Sequence, residues 1–378
     1  MVIDYLPVIG CNTAFVCLCE IEYTDDYKWV MVIFYVPISG CNRQHLCGGR
    51  VCVCVCVCVC EREREREMTR TRAVESPRWW SKDTIAVVTG GNKGIGFEIV
   101  RQLAGQGTTT ILTARDESRG QQALIALKKD GLDVIFHQLD VTDPRSIGKL
   151  ATWIKERFGG LDILVNNAGV AWSSCPDKVL AAKEVLNTNY YGVKNLTHAL
   201  LPLFRPSAAG SRVVNVSSMA GQLAAVGNNK WKEQLSGEDN LNEEVIECFI
   251  QAYLKDRAEG VDTVLLIPNK EVFEAYGDYT LSKAACNAHT RVVARDLANR
   301  KEGEKVFVNC MCPGITSTAM SQNKGHSVEE GADTAVWLVL RPASECVTGK
   351  FFLKRQDRGF FYIREAFSID AQSMIPEK

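Results

Sequence analysis

Apolar and polar positions follow two different periods along residues 83–355. Short, continuous apolar runs predict buried β-strands at 85–89, 109–113, 134–138, 163–166, 212–216, 306–310 and 350–353. Longer segments with apolar residues at helical spacing predict helices at 95–104, 117–129, 144–157, 178–203, 279–298 and 327–340. This alternation is typical of an α/β fold. We expect a single domain built on a Rossmann-type, doubly wound parallel sheet of seven strands with helices on both faces.

A polar stretch at 222–278 interrupts the alternation. It separates the fifth predicted strand from the helix predicted to begin at Tyr279, and it contains one helical pattern at 242–257. Loops of this length inside a domain are usually functional or disordered, so we interpret the stretch as an insertion lying over a binding cleft. Trp231 in the insertion and Trp172 are candidates for a substrate pocket, although ordinary packing would explain each tryptophan equally well.

The first 67 residues differ in composition from the rest. Residues 51–60 are five Val-Cys repeats, residues 61–66 are three Glu-Arg repeats, and ten of the 16 cysteines fall within the first 60 residues. Two adjoining dinucleotide repeats in a gene would encode both blocks. A metal-binding or aggregating Val-Cys strand and a solvated Glu-Arg helix are the alternatives. We expect 1–67 to be a non-native or disordered leader, with 68–82 a lead-in from a start at Met68, 83–355 the folded domain and 356–378 a C-terminal tail.

Charge and composition exclude several classes of partner. The formal net charge is −1, so no overall field attracts nucleic acid or an anionic membrane. No apolar run approaches the roughly 18 residues of a membrane span, and the six cysteines after residue 67 are scattered, as in a reduced, cytoplasmic protein. The histidines lack metal-ligand spacing, so we expect no metal site; those considered are His137, His198, His289 and His326.

Closely spaced glycines follow the first predicted strand. Residues 89–96, called here the glycine turn, read Thr-Gly-Gly-Asn-Lys-Gly-Ile-Gly and open the first predicted helix. Glycine lets a backbone turn sharply, and a helix amino terminus offers N–H groups and a positive dipole end to a phosphate. The spacing Gly-x-x-x-Gly-x-Gly differs from the dinucleotide fingerprint Gly-x-Gly-x-x-Gly. It predicts a nucleotide site that includes Gly90, Asn92, Lys93, Gly94, Ile95 and Gly96.

Charged residues at the end of the second predicted strand bear on the choice of cofactor. A carboxylate at this position selects the ribose 2′-hydroxyl of NAD, whereas an arginine accommodates the 2′-phosphate of NADP. Arg115 precedes Asp116, Arg119 follows one helical turn later, and Lys93 lies in the glycine turn. Three cations outweigh one acid, and guanidinium binds phosphate bidentately, so we expect NADPH/NADP+.

Candidate catalytic side chains lie further along the chain. Tyr279 and Lys283 are four residues apart and share one face of a predicted helix. A phenol has an ordinary pKa near 10, and a nearby ammonium lowers that pKa toward the range useful for acid–base catalysis. Ser218 follows the fifth strand, and the block Asn-Asn-Ala-Gly at 166–169 ends the fourth, so both are expected at the ligand-binding edge of the sheet. Asn189 lies inside a predicted helix, where asparagine is unfavourable.

These motifs together resemble the short-chain dehydrogenase/reductase family over about residues 83–355. Within the family, the Asn-Lys-Gly-Ile-Gly sequence and the long insertion before Tyr279 are similar to the monomeric carbonyl-reductase subgroup, which includes plant menthone/neomenthol and salutaridine reductases. Residues 261–278 depart from the subgroup, since they lack its usual Gly-Trp-Pro-like approach to the tyrosine. An error in the gene model there, like the one expected to have produced residues 1–67, would give this sequence a different substrate-pocket wall from that of the native protein.

The resemblance implies a role for each motif residue. Tyr279 would donate a proton to the carbonyl oxygen, Ser218 would polarise that oxygen, Lys283 would lower the tyrosine pKa and bind the nicotinamide ribose, and Asn189 would hold a proton-relaying water. The cofactor contacts implied beyond the glycine turn and its cations are Asp140, Val141, Asn167, Ala168, Gly169, Tyr279, Lys283, Pro313 and Gly314. For Asp140, a helix cap or turn near Pro144 is an equal alternative.

The expected function is therefore NADPH-dependent reduction of a ketone or aldehyde in a small apolar metabolite, terpenoid or alkaloid-like, by a monomeric enzyme whose only partner is that substrate. Two alternatives stay open. One is an alcohol dehydrogenase that runs oxidatively with the same residues. The other is a non-catalytic dinucleotide-binding protein.

Overall fold

The structure, a computed structural model, divides the chain into two units, residues 1–77 and 78–378. It describes residues 15–22 and 28–35 by their backbone, and residues 78–267 and 269–361 with their side chains. In the first unit, β1 (Phe15–Glu22) pairs antiparallel with β2 (Lys28–Tyr35). The Val-Cys and Glu-Arg repeats lie outside the described residues, so the prediction about the leader stays a prediction.

One sheet forms the centre of the second unit. Its strands are β3 (Ile85–Val88), β4 (Thr109–Ala114), β5 (Val134–Gln138), β6 (Ile163–Asn166), β7 (Ser211–Val216), β8 (Val306–Cys312), β9 (Phe351–Leu353) and β10 (Gln356–Asp357). They lie in the order β10-β9-β8-β7-β6-β3-β4-β5. β3 to β9 pair in parallel, as predicted, and the two-residue β10 adds an antiparallel strand beside β9. β10 falls in the segment expected to be a tail.

Helices cover both faces of this sheet. They are α1 (Gly94–Gly105), α2 (Glu117–Lys129), α3 (Pro144–Phe158), α4 (Lys178–Leu186), α5 (Gly192–Leu200), α6 (Asn229–Ser236), α7 (Glu243–Glu259), α8 (Lys270–Asp296) and α9 (Val328–Leu340). Successive strand residues point to opposite faces, so Val88 packs in one core cluster with α1 and α9, and Val87 packs in another with α3 and α5. The doubly wound fold is confirmed. Among the described helices, none is long and apolar enough to cross a membrane.

The single helix predicted at 178–203 contains a wider turn. Residues Asn187–Tyr191 form a π-helical turn between α4 and α5. Asn189 lies in this turn, and its amide is held on the neighbouring segments: Oδ1 accepts from Val170 N at 2.9 Å, while Nδ2 donates to Val170 O at 2.8 Å and to Ser282 Oγ at 3.0 Å. Such turns are frequent at functional sites.

The insertion is ordered around α6, α7 and the start of α8. α8 begins at Lys270 rather than at Tyr279, because Asn269 caps it by accepting hydrogen bonds from two backbone N–H groups of its first turn. Apolar residues of α7 and α8 share one core cluster. Arg257 of α7 also holds the end of segment 261–278, the segment that departs from the carbonyl-reductase subgroup. Its guanidinium lies 2.9 Å from Glu274 and 3.1 Å from Asp278.

Candidate functional site

The glycine turn leads from β3 into α1 at the carboxyl edge of the sheet. Gly90 (φ 63°) and Gly94 (φ 56°) adopt left-handed backbone conformations, which strain any residue that carries a Cβ. α1 has no side-chain cap at Lys93, whereas α2, α3 and α4 are each capped by an aspartate. The first N–H groups of α1 are therefore available to an anion.

The Asn-Asn-Ala-Gly block holds this turn in place. The Thr89 hydroxyl accepts from the backbone N–H groups of Asn167 and Ala168, both at 2.9 Å. Asn167 Nδ2 in turn donates to Thr89 O at 2.8 Å. A Cβ on Gly96 would lie 2.3 Å from that same Nδ2, so only glycine permits this approach. Contacts between residues 71 to 79 positions apart in the chain thus hold the two motifs together.

A cavity of about 600 Å³ extends along this edge. All the predicted cofactor residues except Gly314 line it: Gly90, Asn92, Lys93, Gly94, Ile95, Gly96, Arg115, Arg119, Asp140, Val141, Asn167, Ala168, Gly169, Tyr279, Lys283 and Pro313. Gly314 lines an adjoining pocket of about 190 Å³ instead. Most of these residues follow the carboxyl ends of β3, β4, β5, β6 and β8, which the parallel sheet brings to one edge, and Tyr279 and Lys283 lie on α8.

One end of the cavity is cationic. The Asp116 carboxylate there caps α2, accepting from Arg119 N at 2.9 Å, and lies 3.6 Å from the Arg119 guanidinium. The acid is therefore engaged within its own helix. Arg115, Arg119 and Lys93 line the same end with exposed side chains, which suits a phosphate better than a neutral hydroxyl.

Asp140 makes a turn beside the cavity. Its Oδ1 accepts from Thr142 N at 2.9 Å and from Thr142 Oγ1 at 2.7 Å. The cap of α3 is Asp143, whose carboxylate accepts from Arg145 N at 3.0 Å. Asp140 therefore forms a turn, as its alternative role predicted, and does not cap α3; it also lines the cavity, and its contact with the cofactor stays a prediction.

The candidate catalytic residues converge where the two cavities meet. Tyr279 lines both cavities, Lys283 lines the larger one and Ser218 the smaller one. Lys283 Nζ donates to Val216 O at 2.9 Å and lies 5.6 Å from the centre of the Tyr279 ring. The turn after Ser218 packs directly on α8, because a Cβ on Gly221 would lie only 2.4 Å from the Lys283 carbonyl carbon.

Burial shifts the protonation of the Tyr279–Lys283 pair. It raises the pKa of the Tyr279 phenol above its ordinary value, and a hydrogen bond with Ser218 opposes that rise. Burial also lowers the pKa of the Lys283 amine. The sequence predicted that Lys283 would lower the tyrosine pKa, but the net direction in the chain alone is upward, because desolvation outweighs the other influences. The phenol is consequently protonated and can donate a proton.

Asn189 lies behind the cavity and is fully buried. Its side chain is engaged with Val170 and Ser282. A Cβ on Gly169, which lines the cavity, would lie 3.2 Å from Asn189 Oδ1 and 3.6 Å from Lys283 Nζ. Asn189 therefore supports the cavity wall at Gly169, close to Lys283, and its role with a water stays a prediction.

The smaller pocket is lined mainly by apolar side chains. Trp172 lines it, together with Ile315 and Met320, so this substrate-pocket candidate is placed as expected. Trp231 is not: its ring packs 5.5 Å from that of Phe249 in the core of the insertion. The insertion contributes Tyr276 to the pocket wall.

Sequence reasoning missed the loop that follows Pro313 and Gly314. Residues 315, 316, 318 and 320–322 line the smaller pocket, and residues 317–320 line the larger cavity. The position of this loop, directly after the carboxyl end of β8, was the available signal, since doubly wound folds bind ligands at that edge.

Three titratable side chains also meet away from the cavities. His198, Glu243 and His289 have ligand atoms within 4.8 Å of one another. The sequence spacing predicted no such group, because the three residues belong to three different helices.

Comparison with known proteins agrees with this geometry. Residues 84–230 and 269–329 match the family model for short chain dehydrogenases. The chain is 41% identical over 309 residues to (+)-neomenthol dehydrogenase from Arabidopsis thaliana, covering 75% of this chain and 98% of that protein. It is 38% identical over 266 residues to carbonyl reductase (NADPH) 1 from Mus musculus, covering 69% and 92%.

A solved structure extends the likeness to three dimensions. Salutaridine reductase from Papaver somniferum superposes with a TM-score of 0.62 at 39% identity, over 71% of this chain and 99% of that one. The resemblance to the carbonyl-reductase subgroup is thus confirmed by both sequence and fold. The chain belongs to the short-chain dehydrogenase/reductase family.

Proposed function

We propose that this chain reduces a ketone or aldehyde in a small apolar metabolite, terpenoid or alkaloid-like, to the alcohol, with NADPH as the hydride donor. The observation that carries the proposal is the position of Tyr279, whose side chain lines both the large cavity and the small apolar pocket. A proton donor at that junction can reach a substrate oxygen while the substrate carbon faces the cofactor.

The large cavity suits NADPH in both shape and charge. Gly90 and Gly94 let the backbone approach a pyrophosphate, and the uncapped amino terminus of α1 offers N–H groups to it. Arg115 and Arg119 at the cationic end suit the 2′-phosphate. The likeness to a mouse carbonyl reductase named for NADPH supports the same choice.

Each catalytic side chain has a defined task in this proposal. Bound NADPH supplies the hydride that adds to the carbonyl carbon. The Tyr279 phenol donates its proton to the carbonyl oxygen, which becomes the alcohol hydroxyl, and the Ser218 hydroxyl donates a hydrogen bond to the same oxygen. Lys283, anchored to Val216 O, holds the cofactor ribose beside Tyr279.

The pocket wall limits the class of substrate. Trp172, Ile315 and Met320 offer apolar contacts, and Ser218 and Tyr279 supply the polar groups at the reacting end. Such a pocket favours a compact hydrophobic molecule with one carbonyl. The names of the neomenthol and salutaridine relatives point to terpenoids and alkaloids as the first compounds to try.

The proposal also includes a monomeric, cytoplasmic enzyme, as the subgroup resemblance implies. Light scattering on the purified chain at micromolar concentration tests the monomer. A stable dimer would contradict that part of the proposal without affecting the reaction.

Tyr279→Phe is the decisive test of the reaction. We expect turnover of monoterpene ketones, quinones or isatin-like carbonyls to fall by at least about 100-fold, because the general acid is gone. NADPH should still bind, since the glycine turn is untouched. Tyr276→Phe is the matched control, because Tyr276 lines the same pocket but not the cofactor cavity, and it should retain activity.

The outcomes separate the alternatives. Full activity in Tyr279→Phe would refute the assignment of the proton donor. A wild-type chain that only oxidises alcohols would favour the dehydrogenase alternative. NADPH binding without turnover of any substrate would favour a non-catalytic dinucleotide-binding protein.

A further inference from the structure

A second group of chemically active side chains lies where the insertion meets the core domain. His198 lies on α5, Glu243 is the first residue of α7, and His289 lies on α8. His198 Nε2 is 3.0 Å from Glu243 Oε1, and His289 Nδ1 is 3.7 Å from the same oxygen. None of the three lines the two cavities of the proposed active site.

We propose that His198, Glu243 and His289 form a binding site for one divalent transition-metal ion of the Zn²⁺ class. The donor set of two imidazoles and one carboxylate is the kind that Zn²⁺ prefers, with a water completing four-coordination.

The spacing of the donor atoms fits such an ion. Tetrahedral Zn²⁺ with bonds of about 2.0–2.1 Å holds its ligand atoms about 3.3 Å apart. The two distances to Glu243 Oε1, 3.0 and 3.7 Å, lie on either side of that value, and the donor atoms of all three residues lie within 4.8 Å of one another. Small side-chain rotations would bring the three atoms to equal distances from one ion.

His289 gives independent support. Its side chain is 1% exposed, and neither ring nitrogen has a hydrogen-bond partner. Leaving a buried polar group without a partner is costly, and a metal ion would satisfy Nδ1 directly.

The other partners of Glu243 are compatible with a metal. Lys194 Nζ lies 2.7 Å from Oε2, the oxygen that faces away from the two histidines. Lys194 therefore orients the carboxylate as an outer partner, although its positive charge weakens attraction for a cation. Glu243 leaves Oε1 for the ion.

The site opens to solvent on one side. The side chain of His198 is 43% exposed and that of Glu243 is 32% exposed, while His289 closes the inner end. An ion can enter from water and keep a water ligand. A bound ion would cross-link α5, α7 and α8. It would thereby hold the insertion against α8, the helix that carries Tyr279 and Lys283.

The test compares the wild-type chain with two variants at single sites. Reactive thiols of the full chain are first alkylated under native conditions, so that cysteines do not supply ligands. Zn²⁺ binding is then measured by titration calorimetry and thermal unfolding, and Co²⁺ absorption reports the coordination. We expect one ion per chain, a higher Tm with Zn²⁺, and visible Co²⁺ bands of a tetrahedral nitrogen–oxygen site.

His198→Ala removes an exposed ligand without opening the core. We expect its Kd for Zn²⁺ to rise at least about 100-fold, since even loss of an outer partner costs about 10–100-fold. Glu244→Gln is the matched control: it changes an exposed carboxylate next to Glu243, keeps all three ligands and Lys194, and should bind Zn²⁺ as the wild type does. Equal binding in wild type and His198→Ala, or no binding in wild type, would overturn the proposal. Carbonyl reduction is measured separately, so the metal site and the proposed reaction can fail independently of each other.

Discussion

We expect the contact between Gly221 and α8 to set the distance from Ser218 to Tyr279. Gly221 ends the turn 219–221, which begins directly after Ser218. A Cβ there would lie 2.4 Å from the Lys283 carbonyl carbon, 2.5 Å from its oxygen and 2.8 Å from Ala284 N, all backbone atoms of a 27-residue helix. Since the helix is the larger and better-packed element, we expect the turn to move in Gly221→Ala.

The required movement follows from the geometry. Ordinary contact begins at 3.4 Å, so the shortest distance must grow by about 1 Å. A displacement of this size in a catalytic group can lower the rate about 100-fold, or about 2.7 kcal/mol of barrier height. Overpacking should also lower the free energy of unfolding by about 1–3 kcal/mol.

The assay is kcat/KM for carbonyl reduction, followed by the loss of NADPH absorbance, together with the Kd for NADPH and a urea unfolding curve. We expect kcat/KM to fall about 100-fold while NADPH binding changes little, because the glycine turn and the cationic end are distant from Gly221. Gly148→Ala is the control: this exposed glycine in α3 has nothing within 4 Å of its added Cβ, so alanine should stabilise the helix by about 0.5–1 kcal/mol without affecting rate.

A second variant tests the same contact in case Gly221→Ala does not fold. Asn287 Nδ2 donates to Gly221 O at 2.8 Å and holds the same turn against α8. Asn287→Ala removes this bond without adding volume, and we expect a smaller fall in kcat/KM. If folded Gly221→Ala retained wild-type kcat/KM, the turn would not position Ser218 and the reasoning would be refuted.

Three further predictions follow from other contacts. Arg115→Ala should lower the ratio of kcat/KM with NADPH to kcat/KM with NADH by about 10–100-fold, which corresponds to the loss of one charge-assisted hydrogen bond. Arg145 does not line the cavity, so Arg145→Ala should leave this ratio unchanged. Because burial raises the pKa of Tyr279, the phenol should stay protonated through about pH 9. The value of kcat/KM for reduction should therefore not fall between pH 7 and about 9. A fall centred near about pH 8 would contradict this prediction. Trp79→Ala should lower the free energy of unfolding by about 1–3 kcal/mol, because the Trp79 ring stacks 4.7 Å from the buried Arg212 guanidinium. Urea unfolding measures this change, and an unchanged curve would show that the stable domain begins after Trp79.

Local sequence patterns were sufficient for the order and type of the main elements. Strand β5 and helix α2 have the predicted bounds, because each combines a clear apolar period with flanking turn or capping residues. The start of α8 was predicted nine residues too late. The first turns of α8 have polar residues on several sides, so their apolar period is too weak to predict a helix. The helix nevertheless begins there, because Asn269 caps its first turn.

Motifs whose residues lie close together in the chain were equally predictable from the sequence. The glycine turn and the Tyr279–Lys283 pair each lie within one turn or helix, so their geometry depends on local backbone conformation. Nothing local, however, brings Ser218 to Tyr279, 61 residues later in the chain. The parallel sheet and the close approach of Gly221 to α8 do that.

The sequence by itself thus determined the fold class, and it predicted the glycine turn as a phosphate site and the candidate catalytic side chains, because periodicity and short motifs act over a few residues. Only the tertiary structure decided which tryptophan lines the pocket, that burial raises the tyrosine pKa, and that His198, Glu243 and His289 meet. Those properties depend on which side chains pack together and on how much water their packing excludes. Contacts between residues far apart in the chain determine both.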